Sequence, residues 1–535
     1  MKVDAAGNAY ITYTYLGSGR VDYITCKVSA AGTLQWTAEY DGTGNGDDSP
    51  AALVVDANGN VYVTGTSKSP FGVDEFATVK YNAAGVQQWV QRYGANGYTC
   101  RAEAMTIDAF GNLYIVGMTP SRNDPFTDTF NDFMTLKYSA SGVLQWARRG
   151  GSTTKGDDPV GIGVDAKGNV YVAGTSVEQT TATVGTWRVE TVYLIEKYLP
   201  NGFHQWSARH IYPRGGRHHN TRAMAVDAAG NTYVTGTLRL DGGTTPVYYT
   251  VKYNSSGSRQ WYDYYRAEDD YYSHPNAIAV SSVGNVYVTG RLSLRDLGSY
   301  YGTLKYSPTG MLLWGSYHGY GNRNEGLAVA VDASDNAYVT GLTTGSYNSL
   351  TDCTTLKYNS DGTKLWAKTF NGYGNGDDRG ENVVADGSGN VYISGTTNDG
   401  AHYYDAVIIK YAPITSGLKT NLYPTLAQTG IRSTPPSQGN SPSSLSSTTS
   451  ELMAFPVPFT NGTTIHFGLA TDAARARLQV FDGLGRVVAT LHDGPLVAGQ
   501  RYTAQLHGAA LAGGLYVCRL TTPTTTQQIR LTRSR

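Results

Sequence analysis

Apolar and polar side chains alternate in short runs along most of this chain. Gln88-Trp89-Val90-Gln91, Ala104-Met105-Thr106-Ile107-Asp108, Leu113-Tyr114-Ile115-Val116-Gly117 and Phe133-Met134-Thr135-Leu136-Lys137-Tyr138 each keep a period of two. That period marks a strand with one face buried. Between the second and third runs lies Asp108-Ala109-Phe110-Gly111-Asn112. Gly and Asn tolerate positive φ, and an Asp side chain accepts backbone N–H groups across a turn, so this stretch reads as a hairpin. Asn82-Ala83-Ala84-Gly85 reads as a second hairpin. The pattern predicts units of four short antiparallel strands, with the tryptophan strand placed first.

The units repeat. Val-Asp-Ala-x-Gly-Asn-x-Tyr starts at Val3, Val55, Val164 and Val226, with near-copies from Ile107, Val280, Val331 and Ala385. The eight copies are spaced by 51 to 62 residues. A Lys-Tyr pair follows seven of them, from Lys80-Tyr81 to Lys410-Tyr411, and the first copy has Lys27-Val28. Gly-x-x-x-Trp is the third signature and supplies Trp36, Trp89, Trp146, Trp206, Trp261, Trp314 and Trp366. A four-stranded sheet of about 50 residues cannot bury both faces alone, whereas a ring of such sheets buries them against one another. The fold class is therefore all-β: a β-propeller of eight four-stranded blades over residues 1–411, with seven as the alternative count. Each Trp is expected to wedge as an apolar plate between neighbouring blades. Because the Trp strand occurs seven times, one blade is expected to be incomplete, its missing strand lying before Met1.

These units resemble SBBP repeats, a β-propeller repeat of bacterial surface and secreted proteins, over roughly residues 1–411. The resemblance implies a fold and no defined activity.

Composition narrows the function. Among 535 residues, 42 basic and 42 acidic side chains balance to zero, which leaves no electrostatic footprint for nucleic acid or an anionic membrane. No apolar run approaches the roughly 18 residues that span a bilayer. Cys26, Cys100, Cys353 and Cys518 share no repeat position and form no CxxC pair, so they read as isolated thiols. Met1-Lys2-Val3 runs directly into the middle of a repeat, with no charged-then-apolar leader ahead of it.

Residues 412–450 are rich in Ser, Thr and Pro, as in Ser433-Thr434-Pro435-Pro436-Ser437, and read as a flexible tether. Alternation returns over 451–535. Thr464 to Leu469, Ala476 to Asp482, Val487 to Leu491, Tyr502 to Leu506, Leu515 to Leu520 and Gln528 to Leu531 predict a small C-terminal β-sandwich. Phe455-Pro456-Val457-Pro458-Phe459, Val480-Phe481-Asp482-Gly483-Leu484-Gly485-Arg486-Val487 and Leu511-Ala512-Gly513-Gly514-Leu515-Tyr516 resemble the type A sorting domain of type IX secretion. Two positions depart from that family: Val457 stands where it has Asn, and the chain closes on Arg rather than Lys. The resemblance implies that residues 452–535 engage the type IX secretion machinery and that the protein is secreted or held at the cell surface. Export of this kind follows a signal peptide, so the natural start is expected upstream of Met1.

Candidate chemistry gathers on the rim. Asn45-Gly46-Asp47-Asp48, Lys155-Gly156-Asp157-Asp158 and Asn375-Gly376-Asp377-Asp378 recur. Asp48, Asp158 and Asp378 suit either a hard cation or sugar hydroxyls, or a turn cap repeated because the blade repeats; the cap is the favoured reading. Arg217-His218-His219 and Tyr272 replace that loop in other blades, and Trp187 lies in an insertion. No Gly-x-Ser-x-Gly elbow, His-Glu-x-x-His or phosphate loop is present, and no cofactor or metal is expected. The sequence points to a monomeric, non-enzymatic propeller that is structural or binds a glycan or protein on its rim. The alternative is a secreted glycosidase or lyase using rim carboxylates.

Overall fold

In a computed structural model of the protein, the Asp-Ala-x-Gly-Asn runs close hairpins, and each residue type in them has a task. Asp56 Oδ1 accepts the backbone N–H groups of Asn58 and Asn60, both at 2.9 Å. Its Oδ2 accepts Asn60 Nδ2 at 2.7 Å and the Tyr62 hydroxyl at 3.1 Å. One carboxylate thus ties the turn to the strand that leaves it, which explains why Asp, Asn and Tyr recur together. Asp4, Asp108, Asp165, Asp227, Asp332 and Asp386 repeat the arrangement.

The structure describes residues 1–412 and 451–533, except 17–20, 45, 95–98, 121–130, 152–155, 184–185, 211–216, 240–244, 267–271, 295–297, 320–322, 345–349, 373–375, 399–403, 456–461, 470, 483–485, 499 and 509–510. The predicted tether lies outside the described residues but for Ala412. The chain divides into two units, Met1–Ser433 and Thr434–Arg535.

The first unit is the propeller. Blade two shows its plan: Asp48–Val55, Val61–Lys68, Asp74–Tyr81 and Gln87–Tyr93 pair antiparallel in chain order. Eight such sheets follow one another, and the eighth has three strands among the described residues, Arg379–Ala385, Val391–Asn398 and Tyr404–Tyr411. The first strand of each sheet is innermost and packs against the first strands of its neighbours.

The pairing corrects the frame read from the sequence. Trp89 lies opposite Lys80 of the preceding strand, so the tryptophan strand closes its own blade as the outermost strand instead of opening the next. The first blade consequently has all four strands, starting with the two-residue Lys2–Val3. The strand that the tryptophan count left out belongs to the outer side of blade eight, not to the inner side of blade one.

Blades are joined by one repeated contact. In blades one to six the Trp faces a hairpin glycine of the next blade: Trp36 meets Gly85, Trp89 meets Gly142, and Trp146 meets Gly202. These glycines have φ near +80° (Gly85 82°, Gly142 85°, Gly202 81°), and a Cβ there would overlap the indole. Trp146 Nε1 and Lys137 Nζ both donate to the Pro200 carbonyl, at 3.0 Å each. Trp206 and Lys197 converge in the same way on Ser255, and Trp261 and Lys252 on Pro308. The Lys-Tyr pair is therefore a bridge in two directions. Its Lys reaches forward, and its Tyr packs at a tilt against the Trp behind, as Tyr198 does against Trp146 at 6.1 Å. Lys410 of blade eight donates to Ala30 O of blade one at 3.0 Å, and Tyr392 and Ile408 pack with Ala9, Ile11 and Cys26. The ring closes by the contact that builds it. All four cysteines are buried, and none is in a disulfide.

The second unit is a β-sandwich. Glu451–Phe455, Gly462–Gly468 and Arg501–His507 form one sheet; Val487–Leu496, Ala473–Phe481, Gly514–Thr521 and Thr526–Arg533 form the other. Ile465, Phe467, Leu478, Val480, Leu520 and Leu531 fill its core. Among the described residues no helix is long and apolar enough to cross a membrane.

Candidate functional site

The repeated rim acids are spent inside the scaffold. Asp48 is buried and accepts the backbone N–H groups of Gly42 at 2.5 Å and Lys68 at 3.0 Å. It fastens the loop entering blade two to the second strand of that blade. Asp378 does the same in blade eight, accepting Gly372 N at 2.5 Å. Burial pushes its carboxyl up against the hydrogen bonds from Gly372, Thr397 and Asn398.

Asp158 is not their counterpart. The inner strands of blades two to eight each carry a bulge, after Pro50 in blade two and after Pro159 in blade four. Counting back from the bulge aligns Asp48 with Asp157, which is buried and faces Gly151 as Asp48 faces Gly42. Asp158 lies one residue further along and is exposed, and crowding by the wall around it pushes its carboxyl up.

Asp22, Asp41 and Asp48 each bring a carboxylate oxygen within 4.8 Å of the others, yet Asp48 is already committed to two N–H groups. Asp48→Asn is expected to lower the stability of the protein by about 1–2 kcal/mol. Millimolar calcium is expected to leave the melting temperatures of wild type and variant equally unmoved. A calcium-induced rise in the wild type that the variant lacks would reassign the loop to cation binding.

Arg217, His218 and His219 lie in the inner strand Arg217–Val226 of blade five, and Trp187 in Thr186–Tyr198 of blade four; their side chains fall outside the described residues. Tyr272 is exposed, its ring edge-on to His274 at 5.6 Å.

The structure gathers a set that the sequence reading passed over. Beside the buried rim position, the inner strands of blades three to eight begin with polar side chains that change from blade to blade. Arg101 and Glu103 come from blade three, Asp158 from blade four, and Asn220 and Arg222 from blade five. His274 and Asn276 follow from blade six, Glu325 from blade seven, and Arg379 and Glu381 from blade eight.

Several pair across blade seams. His274 Nε2 meets Glu325 Oε1 at 2.9 Å, and Asn276 Nδ2 donates to the same oxygen at 2.7 Å. Burial works to raise the Glu325 carboxyl, but the contacts from His274 and Asn276 hold it below the usual range. Glu103 is pushed up by burial, with Arg101 opposing and Asp158 adding to the rise. Within blade eight, Arg379 pairs with Glu381 of its own strand at 3.0 Å. At the hairpin end of the inner strands, a cavity of about 700 Å³ is lined by Lys2, Lys27, Asp56, Asn58, Met105 and Ile107 of blades one to three. Together the starts of these neighbouring inner strands offer hydrogen-bonding groups of both signs, suited to holding a polar ligand by several directional contacts.

The SBBP β-propeller repeat profile matches residues 35–72, 88–123 and 145–177. Each match begins in the outermost strand of one blade and runs into the next, so the repeat of sequence is out of step with the blade of structure. No curated protein matches the chain. Among solved structures, the chain is similar to PorZ, a bacterial surface component of the type IX secretion system of Porphyromonas gingivalis. Identity there is 10 %, over 98 % of this chain and 100 % of that one, with a TM-score of 0.27. It is also similar to a PL25 ulvan lyase at 10 % identity, covering 69 % and 90 % of the two chains, with a TM-score of 0.40. A protein of unknown function from Bacteroides caccae matches at 11 % identity, 52 % and 85 % coverage, and a TM-score of 0.29. At these values the likeness carries no argument about function. The chain carries SBBP-type β-propeller repeats in an all-β architecture.

Proposed function

We propose that this protein is an exported, non-enzymatic β-propeller, secreted or displayed at the cell surface, which binds a glycan or protein ligand at the mouth of its channel. One observation carries the reading. The side chains that stay constant between repeats are occupied in building the ring, while the polar side chains that change gather at the start of the inner strands. Functional groups are expected where a repeated scaffold departs from itself. The C-terminal sandwich is the address read by the type IX secretion machinery, and the protein works as a monomer.

The decisive experiment pairs binding with turnover on one polysaccharide panel. Wild type is expected to retain a ligand without releasing new reducing or unsaturated ends. Arg222→Ala together with Glu103→Ala is expected to weaken retention about tenfold or more, with stability changed by less than about 0.5 kcal/mol. Undiminished retention by the double variant would remove the mouth as the site. Turnover lost in Glu103→Gln or Asp158→Asn would instead establish the second reading, a carbohydrate-active enzyme. Burial raises both carboxyls from the ordinary carboxylate value, the direction in which a general acid departs. Deleting residues 452–535 is expected to abolish export.

A further inference from the structure

The lysine that bridges one blade to the next does not bridge in blade one. Lys80, Lys137, Lys197, Lys252, Lys305 and Lys410 each donate Nζ to a hairpin carbonyl of the following blade, at 2.7–3.1 Å. The matching acceptor for Lys27 is the Ala83 carbonyl, which takes the Trp36 indole N–H at 3.0 Å and no lysine. Among the described residues Lys27 Nζ makes no hydrogen bond and no ion pair; it lies 5.3 Å from the centre of the Tyr10 ring. A scaffold that breaks its own rule at one place is expected to do so at a functional site.

Lys27 and Lys2 both line the cavity of about 700 Å³ at the hairpin end of blades one to three. Two carboxylates line it as well, and both are already engaged. Asp4 accepts the backbone N–H groups of Ala6 and Asn8, Asn8 Nδ2 and the Tyr10 hydroxyl, at 2.8–3.0 Å. Burial works to raise its carboxyl, but these bonds hold it below the ordinary 3.8. Asp56 holds four donors in the same way. Lys2 has no acceptor among the described residues, and enclosure by the cavity pushes its ammonium below the ordinary 10.5. A desolvated ammonium is stabilised by an anion that comes within reach. Val3, Val55, Met105 and Ile107 add an apolar wall.

We propose that this cavity is a second binding site, and that its ligand is a small organic acid whose oxyanion is held by Lys27 and Lys2 and whose body lies along the apolar wall. Charge selects the ligand. With both carboxylates tied, the cavity leaves two ammonium groups unmatched, and an ammonium only donates. A cation would be repelled by both, and a neutral molecule would leave them without a counter-charge. A lysine head is a compact point charge with rotatable donors, not a planar fork, so a carboxylate, a sulfate and a phosphate meet the same chemistry here. The volume lies within the range of about 300–1,000 Å³ that small-molecule pockets occupy, which suits a compact acid. Arg222 of blade five has no part in the lining, so this site and the channel mouth can fail separately.

The test is calorimetry of the full chain at low salt with benzoate, phenyl phosphate, benzamide and inorganic phosphate. At least one of the two aromatic acids is expected to bind, about tenfold or more tightly than the neutral benzamide, and the preferred acid identifies the head group. Lys27→Gln is expected to raise its Kd about tenfold and Lys2→Gln about fivefold, while Lys27→Arg, which keeps the charge, and Arg222→Ala retain most of the affinity. Lys27→Gln should also leave the urea midpoint in place, whereas Lys80→Gln, which removes the bond to Ala140, should lower the midpoint and leave the Kd unchanged. Binding by neither acid, equal affinity for benzoate and benzamide, or equal affinity in wild type and the folded Lys27→Gln protein would overturn the proposal. So would inorganic phosphate bound as tightly as phenyl phosphate, or a loss of stability in Lys27→Gln as large as that in Lys80→Gln.

Discussion

Replacing Asp335 by glycine will lower the stability of the propeller by about 2 kcal/mol, and adding Ser281→Asp will restore most of the loss. In blade six the hairpin acid is Ser281. Its hydroxyl accepts the Asn285 N–H at 3.2 Å, the task of one carboxylate oxygen, and the other oxygen has no counterpart in that blade. Asp335 of blade seven fills the place. It stands where the repeat has glycine, at φ 63°, the single non-glycine residue with positive φ among the described residues. Its Oδ2 accepts Asn285 Nδ2 at 2.9 Å and Lys305 Nζ at 2.6 Å, and its carbonyl accepts the Tyr287 hydroxyl at 2.8 Å.

Glycine at 335 relieves about 1 kcal/mol of left-handed strain. It also leaves Lys305, 3 % exposed, with the Ser360 carbonyl and only the exposed Asp361 as counter-charge, and stranding a buried charge costs about 3–5 kcal/mol. The cost wins. Burial works to raise the Asp335 carboxyl, but its contacts with Lys305, Ser281, Asn285 and Tyr287 hold it below the ordinary 3.8. A depressed folded pKa gives stability that is complete above the unfolded value and fades as pH falls through the folded one. The gap between wild type and Asp335→Gly in urea midpoints is therefore expected to be constant from pH 7 to about 5 and to close below about pH 4. A gap unchanged at pH 3, or no recovery on adding Ser281→Asp, would show that the two hairpins are not exchanging one carboxylate.

That exchange illustrates what could be read from the chain and what could not. Eight strand-rich units were legible because Asp, Gly, Asn and Tyr must sit at fixed offsets to share one carboxylate. The frame of the blade was not, since a repeat has the same period wherever it is cut. The signal lay in connection length. Tyr81 and Gln87 are joined by a tight hairpin, whereas Tyr93 reaches Arg101 by a longer loop, and short connections join paired strands. Asp158 was mistaken for a counterpart of Asp48 because Asp-Asp occurs in both loops, while the bulge proline follows at different distances. The channel-mouth residues escaped because attention to the repeated letters passes over positions that change type. Glu103, Arg222, Asn276 and Glu381 occupy one such position in four blades, and their variation there was itself the available sign. The side chains of Arg217, His218, His219 and Trp187 lie outside the described residues.

The seam between blades can be weighed with two glycines of the same conformation. Gly72 has φ 78° and nothing within 4 Å of an added Cβ; Gly202 has φ 81° and would place a Cβ 2.7 Å from Trp146, an indole 7 % exposed. Alanine at either site incurs the left-handed penalty, about 1 kcal/mol. At Gly202 it also drives into a ring that is pinned by its bond to Pro200 and packed against Tyr198, adding about 2 kcal/mol of overpacking. Gly202→Ala is thus expected to cost about 3 kcal/mol and Gly72→Ala about 1, measured as shifts in urea midpoint at a common m-value. In a Trp146→Ala background the extra cost at Gly202 should vanish, because the overlapping ring is gone, leaving the two alanines equally expensive. Such a cycle measures the force between blades directly, since Gly202 and Trp146 belong to different sheets and meet only because the sheets stand side by side in the ring. Equal costs for the two alanines in the wild-type background would mean that the indole yields freely, and that ring closure rests on the lysine bridges and the buried tyrosines instead.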